Sequence, residues 1–574
     1  MTAVDDKLES LSTTSDGERL PTARERAINP ITTMPWRQKA IGWLAPIGLT
    51  LLAFGLRVWH LGTPRIFAFD ETYYAKDAWS LLNNGYLLSY KADADGNPKT
   101  DINADILAGH VHGVWTKIPE LGVHPDVGKW MIAVGEHFWG MNPFGWRIAS
   151  AVVGSLMVLV MARMVRRMTG STVIGCAAGA LLMLDGLQFV LSRLALLDIF
   201  LGFWLLCSIA CLVADRDWHR SRLARDRRVW FRPWLVGAGI CFGLACGSKW
   251  DAVYPLAAFG ILCVVWSIGA RRSMRMSRWL LKGVLVDGVP AFCYLVLVAL
   301  VVYVATWAGW IAHARSYEEH LSSTQYRQYT GQGHCTGTGS NRTYTATDLD
   351  PNRKWPTAIT PKEHRPGGLV GFVRSLRSLW YYHQDVYTFH THFLNCSTHF
   401  YQSNPSGWLL LNRPVGVAVT NDIKPGTDGC EAPADSSCIR QVLLLGNPVV
   451  WWGGCLALLF ALVMWVGTRD WRYGVAIVGT LSTWLPWFHF DSRPIFIFYA
   501  IATLPFVVLA LALAMGHLIG PSQQPSRRRT TGVVVSGAYV VLALVAFAWF
   551  WPIYTNQLIT HSEWLDRIWF SRWV

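Results

Sequence analysis

Long apolar stretches recur along most of the 574 residues of the chain. A helix needs about 20 predominantly apolar residues to cross the hydrocarbon core of a bilayer. By this measure the chain predicts eleven membrane-spanning helices, at residues 41–61, 148–167, 172–190, 195–214, 234–250, 252–269, 283–310, 447–467, 472–489, 494–516 and 532–552. The expected fold is therefore that of an all-α polytopic membrane protein.

Basic residues between the predicted spans indicate how the chain is oriented. They cluster in five short connections, at residues 161–168, 215–228, 270–278, 467–472 and 525–530. Alternation through eleven spans places all five on one side, which the positive-inside rule identifies as cytoplasmic. The N-terminus then lies in the cytoplasm and the C-terminus outside.

Composition supports the membrane class and argues against binding of nucleic acid. Hydrophobic residues make up 52% of the chain and charged residues only 15%, whereas soluble domains carry about 25% charged residues. The net charge of +14 is concentrated in the short loops between spans, so we attribute it to orientation in the bilayer.

The spans divide the chain into regions with different expected roles. Two loops on the external face are too long to be simple connections, and we expect them to form the working surface. The regions are a disordered cytoplasmic tail (1–38), a transmembrane catalytic core (39–310) with the first external loop (62–147), a large external loop facing the acceptor (311–446), and C-terminal transmembrane helices with a short external tail (447–574).

The first external loop contains two amphipathic patterns that predict helices lying in the membrane interface. One covers residues 71–84, with Asp70 as a good N-cap and Gly85 as a stop. The other covers residues 124–140, with Pro125 in its first turn and Gly140 closing it.

Asp70 and Glu71 are the strongest candidates for chemistry. A carboxylate that activates a hydroxyl must reach the acceptor oxygen and stay ionised, and an external interface with nearby cations would allow both. A structural explanation is equally compatible with the spacing, because Asp70 would cap the helix and Glu71 would favour its dipole.

Several cations lie where the positive-inside rule makes them scarce, at the external ends of spans. Snorkelling anchors would explain any one of them. As a set they indicate an anion at that depth, and a lipid phosphate is the natural candidate. They are Arg147, Arg193, Lys249 and Arg493, with Lys129 on the nearby interfacial helix. Asp185, Asp198 and Asp251 lie at the same level, and we expect them to pair with Arg193 and Lys249.

The second external loop contains a run rich in aromatic and histidine residues, at 378–403. Such density is typical of a sugar or peptide groove. A metal site through the His390-x-His392 pair is the less favoured interpretation. The loop also holds four cysteines, Cys335, Cys396, Cys430 and Cys438. In an extracytoplasmic location one or two disulfides are expected, with Cys430 and Cys438 the favoured local pair.

No phosphate-binding loop of the GxxxxGK[ST] type and no strand-borne GxGxxG is present in the sequence. ATP or a nucleotide sugar therefore gains no support as donor. An enzyme acting outside the cell without soluble nucleotide would use a lipid-borne activated donor.

Six stretches of the chain together resemble the bacterial (actinobacterial) protein O-mannosyltransferases, within the C-type (GT-C) glycosyltransferases that use polyprenyl-phosphate sugars. They are FDETYYAKDAWSLLNNGYL, HPDVGKWMIAVGEHFWGMNPFGWRIASAVVGSL, DGLQFVLSRLALLDIFLGF, GLACGSKWDAVYP, HFYQSNPSGWLLLNRPV and RPIFIFYAIATLPF. The resemblance implies transfer of mannose from polyprenyl-phosphate mannose to Ser or Thr hydroxyls of exported proteins, with inversion. It also implies a multi-pass protein of the plasma membrane with an extracytoplasmic site, and acceptors that it meets at the secretion translocon.

The resemblance also implies roles for individual residues. Asp70 would be the general base, Glu71 would help to arrange the site, and Arg147 would serve the lipid phosphate. Lys129 and Lys249 would have donor-side roles, and Arg493 and Arg193 join them on the charge argument. The acceptor and sugar groove would include His124, Tyr74, Trp380, His383, His390, Tyr401 and Gln402. No metal ion or other cofactor is expected to be required.

One feature departs from the eukaryotic members, which carry a β-trefoil module in the large loop. Residues 311–446 are too short for that module and show no threefold repeat.

Three alternatives to this function remain open. The nearest is a related transferase acting on a glycolipid or cell-wall glycan. The others are a lipid or anion transporter, which would place charges near the midplane, and a scaffold without catalytic activity.

Overall fold

The structure, a computed structural model, describes residues 35–91, 101–227, 230–321, 333–337, 342–347, 354–358, 366–520 and 525–574. Residues 1–34 of the predicted cytoplasmic tail lie outside the described residues.

Helices dominate the described part of the chain. Seven of them are long and apolar enough to cross a membrane: Trp36–Val58, Pro143–Thr169, Leu197–Ala224, Trp250–Ser273, Trp279–Thr306, Pro448–Thr468 and Arg527–Tyr554. Each overlaps one of the predicted spans. The fifth of these helices contains two π-helical segments, Gly283–Gly288 and Cys293–Leu297.

The other four predicted spans contain shorter helices, which are Thr172–Met183, Pro233–Cys246, Trp471–Trp484 and Leu504–Ile519. Their ends are marked by polar groups or irregular turns. The predicted span 172–190, for example, is broken where the Asp185 side chain accepts a hydrogen bond from the backbone N–H of Gln188 and caps a new helix, Gly186–Leu191. The total of eleven spans and their orientation stay predictions.

The middle of the bundle is formed by Leu197–Ala224 and Leu504–Ile519, whose side chains are mostly buried within the protein. Leu197–Ala224 packs against Pro233–Cys246 and Pro143–Thr169. The outer helices expose apolar side chains instead, as Leu300 and Val301 do, which is the pattern expected of a lipid-facing surface.

Both helices predicted in the first external loop are present, as α1 (Glu71–Asn84) and α2 (Val127–Trp139). Gly85 ends α1 in the left-handed conformation at φ 79°. The pattern indicated one apolar stripe for α2, and part of that stripe faces outward, with Val134 and Phe138 exposed. The loop also holds a short helix, Asp101–Leu107, and a two-stranded hairpin of β1 (Leu88–Tyr90) and β2 (Trp115–Pro119).

Strands in the two long loops and the C-terminal tail depart from the all-α prediction. Two short strands, β3 (Gly333–Thr336) and β4 (Thr343–Ala346), form a hairpin. The other sheet is antiparallel and three-stranded, in the order β5 (Val415–Ile423), β6 (Cys438–Leu444) and β7 (Leu558–Thr560). The tail after the last long helix supplies β7, with Arg440 opposite Leu558.

The remaining elements of the second external region are helical. They are Ala308–Ala312, Ala314–His320 and α3 (Gly368–Thr388), followed by the π-helical turn Phe389–Phe393 and the 3₁₀ turns Leu394–Cys396 and Pro405–Leu410. Further short turns occur at Leu485–His489, Ile497–Ala502, His561–Leu565 and Ser571–Trp573. The predicted disulfide between Cys430 and Cys438 is confirmed, and a second one joins Cys335 to Cys396.

Candidate active site

Asp70 occupies the N-cap position of α1, but its side chain makes no capping hydrogen bond. The preceding residue, Phe69, has a φ of +52°, a left-handed conformation that is unfavourable for an aromatic residue and is often found at functional sites. Glu71 reaches back instead, and its Oε2 accepts a hydrogen bond of 2.8 Å from the N–H of Ala68. The Asp70 side chain therefore does not cap its own helix.

Glu71 forms a fully buried ion pair with Arg147. Arg147 donates from Nε to Glu71 Oε1 at 2.8 Å and from Nη2 to Oε2 at 2.7 Å. Its remaining N–H groups go to the carbonyls of Leu61, Pro64 and Ile66. All five donors of the guanidinium are therefore used within the protein. These contacts favour a structural role for Arg147. The prediction from the sequence was that Arg147 serves the lipid phosphate.

Lys129 is also committed to the protein. Its Nζ lies 3.0 Å from Asp77 Oδ2 and 3.3 Å from Asp126 Oδ1, and it donates to the carbonyl of His124 at 3.0 Å. The side chain is 1% exposed. This ammonium joins α1 to α2 and is satisfied without a ligand.

Arg193 closes the C-terminal end of the first long helix. It donates to the carbonyls of Arg57 at 2.9 Å, Trp59 at 2.6 Å and His60 at 3.3 Å, a C-terminal capping role. The expected pairing of Asp185 with Arg193 is wrong, because the Asp185 carboxylate accepts hydrogen bonds from the N–H groups of Gln188, Asn447 and Trp451.

Two predicted cations remain. Lys249 lies near the Asp70 carboxyl group, and Arg493 lies beside the His390 ring. The Lys249 ammonium bonds both oxygens of Asp198, at 2.8 and 3.0 Å, which confirms the expected ion pair. It also lies 4.5 Å from the centre of the Tyr499 ring. Arg493 donates from Nη1 to His390 Nδ1 at 2.7 Å, and its buried Nε has no hydrogen-bond partner in the described structure.

The environment of Asp70 raises the pKa of its carboxyl group to about 6. Burial is the largest cause, because it disfavours the charged form. Lys249 acts in the opposite direction, the Asp198 charge adds to the increase, and a hydrogen bond with Tyr74 lowers the pKa. A carboxyl group with this pKa is a carboxylate at neutral pH and is basic enough to accept a proton there.

Two predicted groove histidines meet next to this group. The rings of His124 and His390 stack at 5.4 Å, and Tyr74 lies 6.1 Å from His124. Burial lowers the pKa of both histidines, and the nearby Lys249 and Arg493 lower it further. Both rings are therefore neutral at physiological pH.

His383 lies farther out, in a groove of about 970 Å³ between α3 and the helices Trp250–Ser273 and Trp279–Thr306. Its Nε2 is 2.6 Å from the Tyr303 hydroxyl, which accepts a hydrogen bond of 2.9 Å from Trp250. Aliphatic and aromatic side chains form most of the walls, and Trp380 lies at the exposed side of the groove. The groove passes close to the polar site, since Trp250 follows Lys249 and its ring lies 6.3 Å from His390.

Tyr401 and Gln402 are not brought to Asp70 directly. Gln402 accepts a hydrogen bond from the backbone of His399, and the Tyr401 ring lies 6.0 Å from that of His399. His399 in turn contacts Phe69 at 5.7 Å. In the described part of the chain, no three side chains of His, Cys, Asp or Glu come together in a way that could hold a metal ion.

Three residues near the site, Tyr499, Trp250 and Tyr303, were not predicted from the sequence. The first two lie within stretches that carried the family resemblance, RPIFIFYAIATLPF and GLACGSKWDAVYP. Their aromatic character alone is typical of membrane helices. Tyr303 lies inside an ordinary apolar span, where its hydroxyl was the only available signal.

Two family models match most of the folded chain. Residues 101–314 match dolichyl-phosphate-mannose-protein mannosyltransferase, and residues 375–573 match the C-terminal four-transmembrane region of protein O-mannosyltransferase. The polyprenol-phosphate-mannose–protein mannosyltransferase of Mycobacterium tuberculosis is 33% identical over 93% of this chain and 92% of its own length. That of Mycolicibacterium smegmatis is 34% identical over 93% of both chains.

The fold is similar to that of a solved structure as well. The Saccharomyces cerevisiae protein O-mannosyltransferase Pmt1–Pmt2 complex bound to the sugar donor matches with a TM-score of 0.66 at 14% identity, over 96% of this chain and 94% of that one. The chain therefore belongs to the protein O-mannosyltransferase family. It is a multi-pass membrane protein and a mannosyltransferase.

Proposed function

We propose that this enzyme transfers mannose from polyprenyl-phosphate mannose to Ser and Thr hydroxyls of exported proteins. The names of its relatives support the donor and the protein acceptor. The observation that carries the chemistry is the different use of two adjacent carboxylates. Glu71 is bound on both oxygens by Arg147, whereas Asp70 makes no capping bond and lies beside Lys249 and Tyr74.

In the proposed reaction Asp70 is the general base. The acceptor hydroxyl oxygen forms a bond to the anomeric carbon of mannose while the bond from that carbon to the phosphate oxygen breaks. The phosphate leaves with the electron pair, and the hydroxyl proton moves to Asp70. Attack from the side opposite the phosphate inverts the anomeric centre. Cations near the departing phosphate stabilise its charge as the sugar gains oxocarbenium character.

Arg493 and Lys249 are the cations best placed for that phosphate. The buried Nε of Arg493 still has a hydrogen bond to donate, and the Lys249 ammonium lies between Asp198 and Tyr499. Arg147 and Lys129 use all their N–H groups on protein partners, and Arg193 is bound to the carbonyls at a helix end, whereas Lys249 makes only its two bonds to Asp198 in the described structure. We therefore assign these three to positioning of the loops and the two others to the donor.

The groove beside α3 would hold the polyprenyl chain. Its wall residues Val253, Leu256 and Val296 are aliphatic, and its volume of about 970 Å³ suits part of an isoprenoid chain. Leu300 and Trp380 are exposed at its edge, so a lipid could enter from the side. The polar end at Trp250 would bring the phosphate to Lys249.

The reaction is proposed to take place at the outer face of the cell membrane. Eleven spans with a cytoplasmic N-terminus would place both long loops outside, where exported acceptors emerge from the secretion translocon. The donor is already activated by its phosphate and the cations belong to the protein, so no metal ion is required in this scheme. Activity that survives EDTA would agree with it.

The test uses the full-length enzyme in membranes with short-chain polyprenyl-phosphate mannose. Mannose should appear on a Ser/Thr-rich peptide, and Asp70→Asn should lower the rate at least 100-fold, as loss of a general base does. Asp105→Asn, an exposed carboxylate in the same loop, is the matched control and should stay active. An active Asp70→Asn enzyme would refute the base assignment.

A lipid acceptor should be offered in a parallel reaction. Transfer only to a glycolipid or cell-wall glycan would show that the enzyme is the related transferase and does not act on proteins. The role of Asp70 would be unchanged.

A further inference from the structure

His390 uses both ring nitrogens at the junction of the two external regions. Its Nδ1 lies 2.7 Å from Arg493 Nη1, and its Nε2 lies 3.2 Å from the carbonyl oxygen of Val123. A guanidinium only donates and a carbonyl only accepts. Both contacts are made at once only by the neutral ring that carries its proton on Nε2. Burial and the charge of Arg493 hold the pKa of His390 at about 3, in agreement with this tautomer.

The backbone that carries the ring is held by a disulfide on its C-terminal side. His390 lies in the π-helical turn Phe389–Phe393, a feature often found at functional sites. This turn is followed at once by Cys396, which is joined to Cys335. The ring stacks on His124 at 5.4 Å and meets the Trp250 ring at 6.3 Å.

The acceptor of the second ring nitrogen is equally well held. Three consecutive carbonyl groups, those of Gly122, Val123 and His124, each accept a side-chain hydrogen bond. The donors are the Tyr382 hydroxyl at 2.7 Å, His390 at 3.2 Å and the Lys129 ammonium at 3.0 Å. The backbone at Val123 is therefore held in place, and the His390 imidazole connects its carbonyl group to Arg493.

Arg493 has a buried group that its contact with His390 does not use. Its Nε is buried and has no hydrogen-bond partner in the described structure, which is costly unless a ligand supplies an acceptor. Lys249 directly precedes Trp250, whose ring lies 6.3 Å from that of His390, the partner of Arg493, so the two cations lie in one small region. An anionic oxygen there would be bound by two positive groups.

We propose that His390 is a positioning residue that holds the Arg493 guanidinium toward the phosphate of the lipid donor. The inference rests on the proposed function and deepens it. His390 was predicted from the sequence to line the sugar groove, and it is assigned here to the donor side. The ring does not touch the reacting atoms. It acts by restricting the rotamers of Arg493. Less side-chain entropy is then lost when the donor binds.

The test measures donor KM and kcat separately, with full-length enzyme and saturating acceptor. H390F keeps the ring that stacks on His124 but has no acceptor for Arg493, so donor KM should rise about tenfold with kcat within twofold of wild type. H390N offers an amide oxygen near the position of Nδ1 and should stay within threefold. H561Q changes an exposed histidine in the turn His561–Leu565, which contributes no side chain to the proposed site, and is the control.

The decisive measurement is the double variant. If His390 acts through Arg493, R493Q should raise donor KM, and H390F/R493Q should be no worse than R493Q alone. Effects that multiply, or a loss of kcat in H390F with unchanged KM, would overturn the proposal. H390L replaces H390F in the same cycle if H390F is not recovered as folded protein.

Failure of the proposed function has a different signature. Wild-type enzyme that transfers mannose only to a lipid would refute the protein acceptor. The variants would then be compared with that lipid as acceptor, because His390 and Arg493 are proposed to act on binding of the donor.

Discussion

Asp70 and Glu71 are adjacent in sequence, yet they have opposite environments. Successive residues at a helix start point in different directions, so Glu71 faces Arg147 inside the protein while Asp70 faces Lys249 and Tyr74. The left-handed φ of Phe69 sets the direction of this turn. One side chain stabilises the loop, and the other is left for chemistry.

The pKa of Asp70 predicts the acid limb of the pH profile. A general base acts only when deprotonated, so kcat/KM should fall about tenfold per pH unit below pH 6 and level off above it. Tyr74→Phe removes a hydrogen bond that lowers this pKa, so its acid limb should shift to higher pH. The rate of peptide mannosylation between pH 4.5 and 8 provides the measurement. A limb that does not move in Tyr74→Phe would contradict the assignment.

Glu71→Gln should destabilise the protein, in contrast to Asp70→Asn. It leaves the Arg147 charge without its partner at a fully buried site, and breaking such a pair costs about 3–5 kcal/mol. Thermal unfolding in detergent should show a lower melting temperature for Glu71→Gln only. Equal melting temperatures in the two variants would show that the ion pair does not contribute to stability.

At the scale of elements, the site depends on short irregular segments rather than on long helices. The π-helical turn at Phe389–Phe393 brings His390 to Arg493, and the segment 122–124 receives it. The disulfide between Cys335 and Cys396 follows this turn directly. It joins the turn to the β3–β4 hairpin and restricts how far the turn can move.

Removing that disulfide should therefore weaken donor binding. Cys335→Ser with Cys396→Ser should raise donor KM severalfold, because the turn gains freedom that donor binding must remove. The second bridge, Cys430–Cys438, lies in the β5–β6 connection and offers a control pair. Peptide mapping without reductant checks both bridges. Equal effects of the two double variants would argue against a specific role for the turn.

At the scale of the whole molecule, the proposed topology places chemistry and basic loops on opposite sides of the membrane. Alkaline phosphatase, which is active only outside the cytoplasm, tests it. A fusion after Thr347 should be active and one after Arg222 inactive. A fusion after Val574 should be active, since an odd number of spans carries the C-terminus across. An inactive C-terminal fusion would contradict the total of eleven.

Patterns that depend on local periodicity were predictable from the sequence. The apolar runs predicted the long helices, and the amphipathic patterns with their Gly stops predicted α1 and α2. The ion pair of Lys249 with Asp198 followed from two charges at one membrane depth. The sheet was missed because β7 pairs with β6 over a sequence separation that no local pattern records.

The sequence by itself determined that this is a multi-pass membrane protein, because hydrophobic runs and basic loops are local features of the chain. It also marked Asp70 and Glu71 as a pair. Only the tertiary structure decided what each cation does. Arg147 and Arg193 are satisfied by partners distant in sequence, and Lys129 is satisfied by Asp77 together with two neighbours. In the described structure the Nε–H of Arg493 has no partner. A side chain's type and depth indicate what it is able to bind, but its partner depends on the packing of segments that sequence distance separates.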